Sequence, residues 1–150
     1  LCFRKLGFKW MLAVGMLAWI VRYGLFGTAW QPGESPIQWM VLGGILLHGI
    51  CYDFFFVTGM VYVEREAPAA IRSQAQGFLV LVTQGLGMLL GAQAFGAIVT
   101  KFTAESAAGD VAAIDWRNVW YLPAGFAAAI LVLFVLLFRA PRPAAADKVD

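Results

Sequence analysis

Charge is what this chain has least of. Only 13% of its 150 residues are charged, where a soluble domain carries ~25%. Hydrophobic residues make up 61% and the mean hydropathy is +0.76. So few charges cannot coat a water-soluble body of this size, so a large apolar surface must face something other than water. The same composition excludes disorder. Lysine and arginine total 11 against 9 acidic residues, a net charge of +2, with no basic stripe, so nucleic acid is not an expected partner. Cysteine is almost missing as well. Cys2 lies in a basic flank and Cys51 in an apolar run, with no CxxC and no metal-ligand spacing, and both read as free thiols. There is one histidine, and there is no Walker A, GxSxG, HExxH or Cys/His cluster, so neither a hydrolytic nor a metal enzyme is indicated.

What is present is length without polarity. Crossing a bilayer takes ~20 mostly apolar residues, and four stretches qualify: 10–29, 37–63, 74–100 and 119–138. The fold class expected is all-α and membrane-integral, with residues 139–150 a flexible tail. Gln31-Pro32-Gly33 ends the first span. Ser35-Pro36-Ile37-Gln38 reads as a capping box with proline at the first helical position, which would start the second span there. Pro68 sits between the second and third spans, Asp115 is a candidate N-cap for the fourth, and Pro123 is placed to kink it. The chain opens on Leu1 with no cleavable signal, and reads as a piece of a longer protein.

Four spans put both termini on one side. Arg4, Lys5, Lys9, Arg65, Arg72, Arg139, Arg142 and Lys148 lie on the side of the termini and the 64–73 loop, against Lys101 and Arg117 opposite, eight cations to two. The positive-inside rule assigns the richer side to the cytoplasm. Trp10, Trp30, Trp39, Trp116 and Trp120 fall near span ends, where amphipathic rings favour the headgroup level.

An ionisable side chain near the bilayer centre costs ~2.5–3.5 kcal/mol on the insertion scale, so those retained there need a use or a partner. Asp53 lies near the middle of the second span. Counting about 100° per residue puts it on a face with Leu42, Leu46, Gly49, Phe56, Val57 and Met60. The run Tyr52-Asp53-Phe54-Phe55-Phe56 flanks one carboxylate with four rings. That suits a ligand with a flat ring and hydroxyl or N–H donors, and a carboxylate there can also carry a proton. The structural reading is an Asp paired with Arg22 or a backbone donor. Arg22, in the first span, could equally pair with a carboxylate elsewhere or snorkel outward. His48 lies about 140° round from Asp53 and groups with Tyr52 and Phe55, which favours a packing histidine over a relay.

The third span carries a stripe of Ser73, Gly77, Gln84, Gly87, Gly91 and Ala94. Gly87 and Gly91 form a GxxxG pair suited to close helix approach, and Gln84 suits either a central cavity or interhelical bonding. The stretch Gly85-Leu86-Gly87-Met88-Leu89-Leu90-Gly91 approximates a dinucleotide fingerprint, but with one residue too many and inside an apolar helix, so it is set aside. The loop Glu64 to Arg72 reads as a solvated turn with a positive-inside anchor.

The run His48-Gly49-Ile50-Cys51-Tyr52-Asp53-Phe54-Phe55-Phe56-Val57-Thr58-Gly59, with Val63-Glu64-Arg65-Glu66-Ala67-Pro68 and Ile71-Arg72-Ser73-Gln74-Ala75-Gln76-Gly77, resembles the nucleoside–proton symporters of the major facilitator superfamily. Ala18-Trp19-Ile20-Val21-Arg22-Tyr23 and the segment from Asp115-Trp116 extend the resemblance over nearly the whole chain. It implies helices 9–12 of a twelve-helix fold in the inner membrane, with the earlier helices of the same protein as partner. It implies proton-driven nucleoside symport with no cofactor. Asp53 matches a family carboxylate at the nucleoside site; the function read from this has Asp53 bonding the nucleoside and taking part in proton coupling, with Arg22 an ion-pair or coupling residue. Tyr52 matches a neighbouring aromatic; in the same reading Tyr52 and Phe56 stack on the base and Gln84 is a secondary contact. Where relatives carry a polar residue this chain has Phe56, which implies a different substrate preference. The rival expectations are a self-contained four-helix subunit, a transporter fragment for a sugar or other ring-shaped solute, and, more remotely, a membrane enzyme using Asp53 and His48.

Overall fold

The computed structural model describes residues 2–31, 35–103 and 114–139, with side chains from Gly7 onward. Among these, four helices are long and apolar enough to cross a membrane: Gly7–Ala29, Gln38–Glu66, Arg72–Lys101 and Trp116–Leu137. The first belongs to α1 (Cys2–Ala29), which bends at Gly7, where φ is 72°. The second is α2 (Gln38–Tyr52), a π turn over Asp53–Val57, and α3 (Thr58–Glu66). The third is α4 (Arg72–Val80), a π turn over Leu81–Leu86, and α5 (Gly87–Lys101). The fourth, α6 (Trp116–Leu137), is a single α-helix. Pro32, Gly33, most of the tail, and the side chains of Cys2, Arg4 and Lys5 lie outside the described residues.

The start of the second span departs from the expected capping box. Ile37, not Ser35, is the N-cap, and no side chain caps the helix. The cause is a tertiary bond. The Ile37 amide donates to the Ala29 carbonyl at 2.9 Å, which satisfies an orphan carbonyl at the end of α1 and holds Ile37 extended. Asp115 does cap α6: its carboxylate accepts from the Asn118 amide at 3.2 Å and from Asn118 Nδ2 at 2.7 Å. Pro123 lies inside α6, and the helix runs through it without a break.

The first span packs along α6 and α2, and these contacts hold most of the structure together. Three glycines of the first two spans make them possible. A Cβ at Gly15 would stand 2.9 Å from the Phe54 carbonyl carbon and the Phe55 nitrogen, so α1 lies directly on the backbone of the first π turn. Gly44 lies under the Phe26 ring, and Gly27 faces the Tyr121 ring at 3.3 Å. The GxxxG pair behaves otherwise. A Cβ at Gly91 would meet nothing within 4 Å, and one at Gly87 only the nearby Val82 carbonyl. These two glycines make no close helix crossing here, because α5 approaches α6 only sparsely.

The two ends of the bundle are fastened differently. At one, Lys9 Nζ donates 2.7 Å to the Val135 carbonyl, an orphan acceptor in the last turn of α6. Arg65 sits over the Phe8 ring, which meets Tyr62 edge-on, and Tyr62 meets Phe138. At the other end Trp30 stacks on Trp116 at 5.6 Å, and Thr103 and Ile114 form an isolated antiparallel bridge. Trp10 and Trp39 are largely exposed, as headgroup-level rings would be. Trp120 is not. Its ring lies between spans, 4.9 Å from Phe26, 5.3 Å from Phe95 and 5.9 Å from Tyr23, because burying a large ring among others outweighs an interfacial seat.

Most remaining apolar surface faces outward. Leu46, Leu136 and Leu137 are more than 70% exposed, and no residue of the third span is buried. In water this would drive aggregation, whereas lipid or further helices cover it at no such cost.

Candidate functional site

Both π turns fall where the polar side chains are. In the second span the Thr58 amide reaches back to the Asp53 carbonyl, and the buried Thr58 hydroxyl donates to that same carbonyl at 3.4 Å. In the third, the Thr83 hydroxyl donates 2.7 Å to the Leu79 carbonyl. A threonine hydroxyl that takes a carbonyl of the preceding turn loosens and bends the ladder, and each site has one. Such π turns concentrate at functional sites. The extra residue in the first turn also shifts everything beyond Asp53. Even spacing therefore does not carry the face of Leu42, Leu46, Gly49 and Asp53 on through Val57 and Met60.

Tyr52, Phe56 and Gln84 come together. The Tyr52 and Phe56 rings are 5.0 Å apart, tilted by 39°. Gln84 Nε2, from the second π turn, donates to the Tyr52 hydroxyl at 3.4 Å. This is the contact by which the third span reaches the middle of the second. One turn before Tyr52 stands His48, with ring centroids 6.5 Å apart. His48 also meets Trp19 edge-on at 6.2 Å.

Arg22 completes the line. Its Nη1 lies 3.0 Å from His48 Nδ1. Its guanidinium carbon sits 5.3 Å from the Trp19 ring and 5.4 Å from the Phe26 ring, the geometry of a cation–π sandwich. The sequence leaves the partner of Arg22 open among Asp53, a distant carboxylate and solvent; the structure gives it His48. Asp53 is exposed, and among the described residues its carboxylate meets no donor or cation. It stands about 100° round the helix from Tyr52.

Thus His48 and Gln84, each meeting Tyr52, and Asp53, about 100° further round the helix, are all exposed at the middle of two membrane-spanning helices. Facing lipid would be costly for each, so this surface is expected to face water or further protein. Behind it, a cleft of about 960 Å³ opens between α1, the two π turns, α5 and α6. Arg22, Trp19, Phe55, Phe56, Thr83 and Trp120 line it. Tyr52, Asp53 and Gln84 lie outside it. Among the described residues, no group of three or more His, Cys, Asp or Glu side chains is placed to hold a metal.

The sequence does not single out Trp19 or Thr58, while His48 is the hydrogen-bonded packing histidine it suggests, held by Arg22 and Trp19 and beside Tyr52. A tryptophan in mid-span three residues before Arg22 was the available signal for the first. Nothing local distinguishes Thr58 from any other threonine in a helix.

Comparison with known proteins gives these residues a context. The family described as nucleoside H+ symporter matches residues 1–143. The chain is 36% identical over 138 residues to a protein named putative nucleoside transporter YegT of Escherichia coli K12, covering 91% of this chain and 32% of that one. It is 31% identical to the nucleoside permease NupG of the same organism, covering 90% of this chain and 30% of NupG. The crystal structure of NupG superposes with a TM-score of 0.75 at 31% identity over 93% of this chain and 32% of that chain. An aspartate-to-alanine mutant of NupG superposes with a TM-score of 0.77 at 28% identity, over 91% of this chain and 32% of that chain. The chain therefore spans about a third of the length of the curated relatives it matches. Those relatives are transporters and permeases, not enzymes.

Proposed function

Because the chain belongs to the nucleoside H+ symporter family and has the all-α membrane architecture of a major facilitator transporter, we propose that it supplies helices 9–12 of a proton-coupled nucleoside transporter. In this reading the second span lines the transport path. Asp53 accepts hydrogen bonds from the ribose hydroxyls and takes part in proton coupling. Tyr52 and Phe56 stack against the base, and Gln84 braces Tyr52 and offers a secondary contact. Arg22 compensates for its insertion cost through the contacts around His48. The remaining ligand contacts come from the earlier helices. The proton gradient drives transport with no cofactor, and rocking of the two halves alternates access. The termini of this segment and the 64–73 loop face the cytoplasm, with the protein in the inner membrane.

The observation that carries the reading is the exposed Asp53 carboxylate at mid-span beside Tyr52, with Gln84 tied to that ring from the neighbouring helix. A carboxylate set beside an aromatic ring matches a nucleoside, which presents hydroxyl donors and a flat base. The test is uptake of radiolabelled uridine by the full-length protein. Asp53→Asn keeps the shape and removes the charge, and uptake should fall about 10- to 100-fold, the equivalent of losing a hydrogen bond to a charged acceptor. Wild-type uptake in that variant would overturn these roles.

A further inference from the structure

We propose that Arg22 is a positioning residue for His48: it fixes the imidazole in one tautomer, so that His48 Nε2–H is a standing hydrogen-bond donor to an acceptor atom on the nucleoside base. The inference rests on the nucleoside-transport reading and adds a donor to a site otherwise built of an acceptor and rings.

A guanidinium has only N–H donors and is not deprotonated in proteins. Arg22 Nη1 lies 3.0 Å from His48 Nδ1, a hydrogen-bond distance. The bond therefore requires a lone pair on Nδ1, and a neutral ring with a lone pair on Nδ1 carries its proton on Nε2. Arg22 is itself held in place between the Trp19 and Phe26 rings, and Phe26 is buried. The ring of His48 rests edge-on against Trp19 at an interplanar angle of 90°. Both partners are thus oriented by side chains of α1, with Tyr52 of its own helix also beside the imidazole.

The other edge of the imidazole is free for work. His48 is exposed, and among the described residues its Nε2 has no hydrogen-bond partner. An N–H at mid-membrane without a partner is costly, and a base carbonyl or ring nitrogen is the complement it lacks. His48 and Asp53 lie on different faces of one helix about 140° apart, with Tyr52 between them. One molecule that bonds both must carry donors at one end, a flat apolar face, and acceptors at the other. A nucleoside does so: ribose hydroxyls, stacked base, base carbonyls. Without Arg22 the imidazole would sample both neutral tautomers, and the donor would be present only part of the time.

The test is a double-mutant cycle on uridine uptake by the full-length transporter, with membrane abundance measured for each variant. His48→Phe and Arg22→Met should each raise KM about five- to tenfold, the loss of one hydrogen bond, with kcat changed by less than about twofold. The double variant should be no worse than His48→Phe, because Arg22 acts only through the ring. Arg22→Lys retains a donor toward Nδ1 and should recover most of the affinity. Should Arg22→Met fail to reach the membrane, the Arg22→Lys/His48→Phe cycle decides instead: Lys must weaken binding less than Phe and add nothing to it. An unchanged KM in His48→Phe, multiplying effects in the double variant, or a fall in kcat alone overturns the proposal. Failure of the wild-type protein to take up any nucleoside refutes the transport reading itself, and a wild-type protein that transports normally beside inert variants refutes only this inference.

Discussion

The second and fourth spans are built for the same solvent and solve it differently. Both are strongly apolar, with mean hydropathy of 1.8 and 2.3. The fourth contains a proline, Pro123, yet remains one α-helix over 22 residues. The second contains no proline, yet its ladder breaks into a π turn at Asp53–Val57. Helix breaks in this molecule therefore do not follow the strongest helix breaker. They follow the polar chemistry, at Asp53 and again beside Gln84, where a threonine hydroxyl also bonds a carbonyl of the preceding turn. In lipid a freed backbone group must find a partner inside the protein. At the first turn the Asp53 carbonyl keeps the Thr58 amide and gains the Thr58 hydroxyl, so the irregular backbone there leaves it satisfied.

The sharpest way to break this comparison is at two glycines. Gly15 lies on the backbone of the first π turn, while a Cβ at Gly125, in the fourth span, would meet nothing within 4 Å. Gly15→Ala should destabilise the full-length protein by roughly 1–3 kcal/mol, as overpacking does. Gly125→Ala should instead stabilise it by up to about 1 kcal/mol, because alanine loses less backbone entropy in a helix. Thermal unfolding in detergent reads both, and equal midpoint shifts would show that the π turn does not depend on its contact with α1. A smaller effect is expected from Thr58→Val, which keeps the volume and removes the hydroxyl that bonds the Asp53 carbonyl. It should cost about 1 kcal/mol and lower uridine uptake through the position of Asp53, whereas Pro123→Ala should leave uptake as it is. If Thr58→Val transports normally, the π turn is held by other means. The smallest effect belongs to the fourth span's cap. Asp115→Ala removes the acceptor for the Asn118 amide and should cost about 0.5–1 kcal/mol with no change in uptake kinetics.

The number and nature of the spans were legible because bilayer thickness imposes a length that hydropathy reports directly. The observed helices differ from the expected spans mainly at their ends, as at Arg72, which begins α4 two residues earlier than the apolar pattern suggests. Legibility failed wherever a distant partner decided. The capping box at Ser35 was locally sound, but the Ala29 carbonyl claimed the Ile37 amide. The GxxxG pair promised a close crossing, yet the tight approaches occur at Gly15 and Gly44, which no spacing rule marks. Among the site residues, Tyr52, Phe56 and Asp53 share one short run and were visible together. That Gln84 would bond Tyr52, or Arg22 meet His48, was not, since each contact joins helices whose rotation the sequence leaves open.

The sequence by itself determined that this chain belongs in a membrane, where its four long apolar spans lie, and which few polar residues must justify their place there, because bilayer thickness and the cost of an unpartnered charge are set by the lipid and not by the fold. Only the packing of one helix on another decided what each of those residues touches. A side chain's partner is a matter of distance and angle, and the rotation of α1 against α2, set by a ring on Gly44 and a backbone on Gly15, put Arg22 beside an imidazole rather than a carboxylate.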